Sequence, residues 1–328
     1  MSVKGSPWPR ASGGPLMELR STSRVDGTRS FGATSSNEER REKILVWSID
    51  SETGVLTDVL MCQPTFYKWI ETNAIARATL ESAREIDAQA LQSQFRQLED
   101  ALDHAGVRRH YVEPEPHLHY QVYTRDSSQT TPWGPALTQL ALVARRGEAA
   151  SILRFHGPNE GFWRYSSAGA IEGGDIHVIR PGLLLVGYSG IRTTREGAAQ
   201  FARWFEDAGW EARLEPFSEH FLHLDVLFCM AAEGLAVACI EALGDPFADW
   251  LKAHGIRVIE ATYREAMAMS CNLLALGRER VISPRHSRRI NAALRAEGIT
   301  IYDPDLDLFA AGGGSVHCMT MPLKRGAI

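Results

Sequence analysis

The chain has 328 residues, 44% hydrophobic and 23% charged, with a net charge of −5 at pH 7 and an isoelectric point near 6.1. That size can bury a large core, and the composition is that of a soluble globular protein without a basic stripe for nucleic acid or an anionic membrane. A small-molecule substrate is therefore the default, with no nucleic-acid or membrane partner. No run approaches the roughly 18 apolar residues that a membrane span needs, and the N-terminus lacks the apolar core of a secretion signal, so a cytoplasmic location is expected. The five cysteines are an odd number without Cys-x-x-Cys spacing, which argues against a disulfide framework or a structural zinc site.

Residues 1–43 are rich in Ser, Gly, Arg and Glu without an apolar period and read as a disordered or loosely attached arm. Residues 44–328 read as a single catalytic domain. Order is expected to begin with a β-hairpin, Ile44–Ile49 turning at Glu52-Thr53-Gly54 into Val55–Cys62. Leu80, Ala83, Ile86, Leu91, Phe95, Leu98 and Leu102 then recur near a period of 3.6 and predict one long helix from about Thr72 to His104, followed by a strand at Arg109–Val112.

From Asp126 onward one unit recurs: two strands around a tight turn, a helix, then a third strand. Ile176–Ile179 and Leu183–Gly187 flank Pro181-Gly182, a helix runs from Thr194 to Ala208, and Glu211–Leu214 closes the unit. Val226–Met230, Leu235–Ile240, a helix at Pro246–His254 and Ile256–Glu260 repeat it. Asn272–Leu276 opens another, with Ser283 as N-cap and Pro284 as first residue of its helix and Ile299–Tyr302 as closing strand. The polar residues heading these units, Asp126, Glu172, His223, Asn272 and Cys318, are separated by 46, 51, 49 and 46 residues. Such a period suits an array or propeller whose units stack around an axis, which would bring Asp126, Glu172, His223 and Cys318 to one pocket. It also suits unrelated β-α units.

Each candidate has an ordinary reading beside the functional one. The triplet Gly312-Gly313-Gly314 either delivers Cys318 to a ligand or is a flexible loop before a buried cysteine. A lone histidine in an apolar strand is most often a hydrogen-bonded core residue, Asp126 could pair locally with Arg125, and Glu172-Gly173-Gly174-Asp175 could be only a turn. Together they form a Cys, His, Glu, Asp set in which a thiolate is the nucleophile, His223 shuttles protons and Glu172 orients it. Asp126 and Asp225 would add two carboxylates beside the thiol. Carboxylates in a closed pocket call for a cationic ligand, and a planar guanidinium fits such a pair.

Thr124-Arg125-Asp126, Glu172-Gly173-Gly174-Asp175, His223-Leu224-Asp225 and the ending Gly312-Gly313-Gly314…His317-Cys318-Met319-Thr320-Met321-Pro322 resemble, in order, the signature segments of the guanidino-group-modifying superfamily. Its members include arginine deiminases, dimethylarginine dimethylaminohydrolases and amidinotransferases. The resemblance covers about residues 44–325 and implies an α/β fold, the pentein: a five-bladed pseudo-symmetric propeller of ββαβ repeats. It implies Cys318 as nucleophile, His223 as general acid and base, Glu172 as its partner, and Asp126 and Asp225 as the carboxylates that grip a guanidinium. It requires no metal or organic cofactor. Arg145 and Arg192 resemble the arginines that bind the substrate α-carboxylate in arginine deiminases, and are otherwise two solvated surface charges.

The implied activity is cysteine-dependent hydrolysis of the guanidino group of arginine or an N-substituted arginine, giving citrulline and ammonia or an alkylamine. An amidinotransferase, and a non-catalytic sensor of guanidino compounds, are the alternatives. The chain departs from arginine deiminases in lacking an arginine in the loop before Cys318, in carrying Tyr120 where they tend to have asparagine, and in lacking their long helical insertion. The oligomeric state stays open, a homo-oligomer included.

Overall fold

The computed structural model describes residues 46–158 and 161–327, so the predicted arm at 1–43 and the first two residues of the predicted hairpin lie outside the described residues. The described residues form one compact unit. Apolar strands buried on both faces must be covered on both sides, and here the cover comes from neighbouring copies of one motif. Five three-stranded sheets recur, each with its first strand antiparallel and its third strand parallel to the middle one.

The first blade is Ser128–Thr131, Gly134–Leu137 and Arg164–Tyr165, with the helix Glu148–His156 before its last strand. The second is Ile176–Arg180, Leu183–Tyr188 and Glu211–Pro216, with the helix Arg195–Glu206. Phe228–Ala232, Leu235–Ala238, the helix Asp245–Ala253 and Arg257–Glu260 make the third. Leu274–Ala275, Arg280–Ile282, the helix Arg288–Ala296 and Thr300–Tyr302 make the fourth. The fold is thus a five-bladed α/β propeller.

The fifth blade differs from the expected opening hairpin. Leu56–Cys62 takes its antiparallel partner from the far end of the chain, Met321–Arg325, and Arg108–Val112 adds in parallel. The described residues before the Glu52 turn contribute a single bridge, Ser48 to Lys324. The reason is burial: six of the seven residues of Leu56–Cys62 are buried, so this is a central strand that needs a ladder on both edges, and only the chain's last strand completes the ring.

Two helix boundaries also differ. The stripe from Thr72 to His104 is two helices, Ala74–Glu81 capped by Asn73 and Ala88–His104 capped by Asp87. Ala83, at φ 53°, breaks the chain between them, and Asp87 Oδ1 accepts from the N–H groups of Gln89 and Ala90. The longer helix buries Leu91, Phe95, Leu98 and Leu102 as its period predicts; Phe95→Ala there would cost about 3–5 kcal/mol. Ser283 and Pro284 do not start the fourth blade's helix. The Ser283 N–H is still bonded to Tyr302 across the sheet, the Pro284 carbonyl closes a turn with Ser287, and the helix begins at Arg288.

What positions the site is the start of each blade. Asp126, Glu172, His223, Asn272 and Cys318 each stand two to five residues before a first strand, and in the first three blades a single 3₁₀ turn makes the connection: Thr124–Ser127, Gly173–Asp175 and Leu224–Val226.

Candidate active site

The repeat places Asp126, Glu172, His223, Asp225 and Cys318 in one buried cluster, none more than 2% exposed. Close approach of the blade starts requires the glycines of Glu172-Gly173-Gly174-Asp175: a Cβ on Gly174 would lie 2.7 Å from His223 Nδ1 and 3.1 Å from Asp126 Oδ1. Asp175 follows them and accepts the Leu224 N–H at 2.7 Å, which fixes the backbone between His223 and Asp225.

His223 Nε2 lies 2.8 Å from Glu172 Oε2, and its Nδ1 faces Asp126 Oδ1 at 3.6 Å. Burial alone would lower the histidine, but Asp126, Asp175 and Glu172 outweigh it and raise it from 6.5 to about 9, so the ring carries a proton at neutral pH. Burial opposes ionisation of Glu172 too; Arg192 and His223 nevertheless hold it down at about 2. Asp175, with no guanidinium on it, is pushed by burial from 3.8 up to about 7.

The glycine triplet brings the thiol in from the opposite side. Gly313 has φ 97°, and a Cβ on Gly314 would meet the Tyr123 ring at 2.5 Å, so the loop folds flat against the wall of tyrosines before Cys318. The Cys318 Sγ lies 3.2 Å from Asp225 Oδ2 and receives a hydrogen bond from Asn272 Nδ2 at 3.1 Å. Burial first, then Asp225 and Asp126, push the thiol well above its usual value of 9.0.

Arg145 and Arg192 are both 2% exposed and both in ion pairs, not solvated surface charges. Arg145 reaches Asp126 at 2.5 Å and Glu148 through two nitrogens at 2.8 and 2.9 Å, and also donates to the Tyr123 carbonyl at 3.1 Å. Its guanidinium is committed to holding Asp126. Arg192 donates from one terminal nitrogen to Glu172 at 2.8 Å and also lines a cavity of about 570 Å³ with Thr72, Asn73, Arg77, His220 and Phe221. Asn73, on the same wall, donates to the Gly312 carbonyl at 3.0 Å, so the cavity adjoins the buried cluster both through Glu172 and through the cysteine loop.

Two polar groups of the cluster had no role assigned from sequence. Asn272 Oδ1 accepts the N–H groups of Ser315 and Cys318, both at 3.2 Å, so its amide grips the backbone and the sulfur of Cys318 together; its place at the head of the fourth unit was the available signal. His317 Nδ1 lies 2.9 Å from Asp225 Oδ2. Among the described residues two groups could geometrically hold a metal ion, Asp126/Glu172/His223 and Glu52/His177/His317. In each the carboxylates already face buried guanidinium groups, Arg145 and Arg192 in the first and Arg125, 3.9 Å from Glu52, in the second.

A ring of five blades whose starts converge on a cysteine, a histidine, a glutamate and two aspartates defines a member of the guanidino-group-modifying superfamily. The family described as N,N-dimethylarginine dimethylhydrolase, eukaryotic, matches residues 68–325, and the chain belongs to it. It is accordingly an enzyme, a hydrolase acting on guanidino C–N bonds. The uncharacterized protein YkgA of Bacillus subtilis is 30% identical over 279 residues, 84% of this chain and 94% of that protein. An arginine deiminase of Mycobacterium marinum is 30% identical over 67% of this chain, which spans 64% of that protein's length. In fold, the dimethylarginine dimethylaminohydrolase of Pseudomonas aeruginosa, solved as a mutant with citrulline, matches with a TM-score of 0.68 at 19% identity, over 81% of this chain and 99% of that one. The N-terminal domain of ArgZ, a cyanobacterial arginine dihydrolase, matches with a TM-score of 0.69 at 20% identity, over 82% of this chain and 97% of that one. Among the described residues no helix is long and apolar enough to cross a membrane.

Proposed function

We propose that residues 44–328 act as one catalytic domain that hydrolyses the guanidino group of arginine or an N-substituted arginine, giving citrulline and ammonia or an alkylamine. The observation that carries this reading is a pair of buried atoms that lack a hydrogen-bond partner among the described residues: Asp225 Oδ1, on the carboxylate whose other oxygen faces the Cys318 sulfur at 3.2 Å, and His223 Nδ1, 3.6 Å from Asp126 Oδ1. A buried acceptor and a buried proton-bearing nitrogen left unpaired each cost about 1–3 kcal/mol, and a guanidinium bound there would satisfy the first while its departing amine uses the second.

In this reading the cation enters between Asp126 and Asp225, and its charge offsets what holds the thiol protonated. As the cation binds, the thiol gives its proton to solvent; the sulfur attacks the guanidinium carbon, the C–N bond breaks, and His223 Nδ1–H protonates the departing amine. A covalent amidino-thioether remains. Water then gives a proton to His223 and attacks the same carbon; the C–S bond breaks and the ureido product leaves with the thiol restored. Arg192, with one nitrogen on Glu172 and its side facing the cavity, is the better placed of the two arginines to receive a substrate carboxylate; Arg145 serves by fixing Asp126.

The test is incubation with arginine, N-methylated arginines and agmatine, assayed for ureido product, with Cys318→Ala as control. Product from at least one guanidino compound, reduced at least about 10³-fold in the variant, is expected. Equal product from Cys318→Ala refutes the cysteine mechanism.

A further inference from the structure

Four arginines are buried among the described residues, and they are partnered unequally. Arg145 and Arg192 each meet a carboxylate within hydrogen-bond distance. Arg125 and Arg325 do not. Arg125, 0% exposed, commits its Nε to the His317 carbonyl at 3.2 Å, and Arg325, 7% exposed, commits Nη1 to the Gly54 carbonyl at 2.7 Å. Their other four guanidinium nitrogens, Arg125 Nη1 and Nη2 and Arg325 Nε and Nη2, have no hydrogen-bond partner among the described residues. The carboxylate nearest to hand is Glu52, in the same turn as Gly54; its Oε1 stands 3.9 Å from Arg125 Nη1, beyond hydrogen-bond reach, and is itself unpaired. Asp225 faces the other way, toward His317 Nδ1 and the Cys318 sulfur.

Two buried guanidinium groups against one carboxylate leave a positive charge over, and the unpaired donors outnumber the unpaired acceptor. Buried charged donors are rarely left in that state, and water would complete their hydrogen bonds without balancing the charge. We propose that Arg125 and Arg325 form a binding site for a small monovalent anion such as chloride, separate from the guanidino site and facing the Glu52 turn. Burial, and after it the repulsion of Arg125 against the attraction of Glu52, brings Arg325 from 12.5 down to about 10, so it still carries its charge at pH 7. The same excess tells against a cation at Glu52, His177 and His317, although those three could geometrically hold one. Arg325 ends the strand that closes the ring, and the Arg125 N–H holds the Cys318 carbonyl at 3.1 Å. An anion shared by the two side chains therefore clasps the closing strand to the start of the first blade, and binding to the folded chain alone stabilises it.

The experiment follows thermal unfolding of the full chain in sodium chloride and in sodium gluconate at equal ionic strength, gluconate being too large for a closed site. Chloride at about fivefold its Kd should raise Tm by about 2–4 °C over gluconate, and the rise should saturate. Arg325→Gln, whose amide can still donate to the Gly54 carbonyl, should lose that rise. The same Tm in both salts overturns the proposal, and so does a variant that keeps the full rise, which would then be a general effect of salt. Crystals of the wild-type chain soaked in bromide supply a measurement that depends on no variant folding. An anomalous peak in contact with the unpaired nitrogens of Arg125 and Arg325 is expected; water there, or bromide only elsewhere on the molecule, overturns the proposal.

Discussion

Replacing Glu172 by glutamine separates two contributions of one carboxylate. Its oxygens accept from the Ala141 N–H at 3.0 Å, from Arg192 at 2.8 Å and from His223 at 2.8 Å. An amide can accept on one side only, so Glu172→Gln breaks at least one of these and removes the charge that His223 and Arg192 share. The depression of Glu172 from 4.5 to about 2 corresponds to roughly 3 kcal/mol. That stability is present above the unfolded value of 4.5 and is lost as pH falls toward 2, so the variant should lose about 3 kcal/mol in urea unfolding at pH 7 and progressively less below pH 4.5. His223 would lose part of the support that raises it to about 9. The alkaline limb of kcat/KM should then move down by about one pH unit, which is close to a tenfold loss at pH 9 and much less at pH 7. An alkaline limb that stays in place, with unfolding unchanged at pH 7, would refute the assignment of Glu172 as the partner of His223.

Gly174→Ala should cut kcat by 10-fold or more and lower Tm, because its methyl group falls against His223 Nδ1, and a crystal structure of the variant should show the ring displaced. Asp175 carries its proton more readily folded than unfolded, so its contribution to stability is full below 3.8 and lost as pH rises through about 7. Asp175→Asn, which keeps an oxygen for the Leu224 N–H, should therefore gain in urea midpoint over wild type at pH 8 and not at pH 3.5; the same shift at both pH values would contradict this. If Cys318 is the nucleophile as proposed, Asn272→Ala should lower kcat by about 10²-fold with little effect on KM, since it loosens the Cys318 backbone and sulfur and leaves Asp126 and the second oxygen of Asp225 in place; a pure KM effect would place Asn272 in substrate binding instead.

Much of the fold was legible because it repeats. The intervals from Asp126 to Cys318 mark blade starts, and Asn272 falls at the same position in the fourth blade although it was given no task. The opening hairpin was misleading because neighbouring strands usually pair, whereas Leu56–Cys62 pairs with Met321–Arg325, a partner that no local pattern announces. The break at Ala83 carries neither Gly nor Pro, and only Asp87 hints at a restart. Ser283-Pro284 has the composition of a helix start but is held by the neighbouring strand. Within the site, residue types and motifs named the groups that converge. The pairings did not follow from sequence: that Arg145 would be committed to Asp126 and Glu148, or that Glu52 would face His317, depends on blades far apart in the chain.

The strand that follows Cys318 also closes the ring. Arg125 donates its N–H to the Cys318 carbonyl, and the next residues form the ladder with Leu56–Cys62. Docking of that last strand is thus the same event as placing the Cys318 thiol: an open ring leaves the sulfur without its neighbours Asn272 and Asp225, and a chain that has them in place has already finished folding. Ring closure joins distant segments and is entropically the most expensive pairing in the molecule, so it should come late. The geometry around the Cys318 sulfur therefore exists only once the circle is complete.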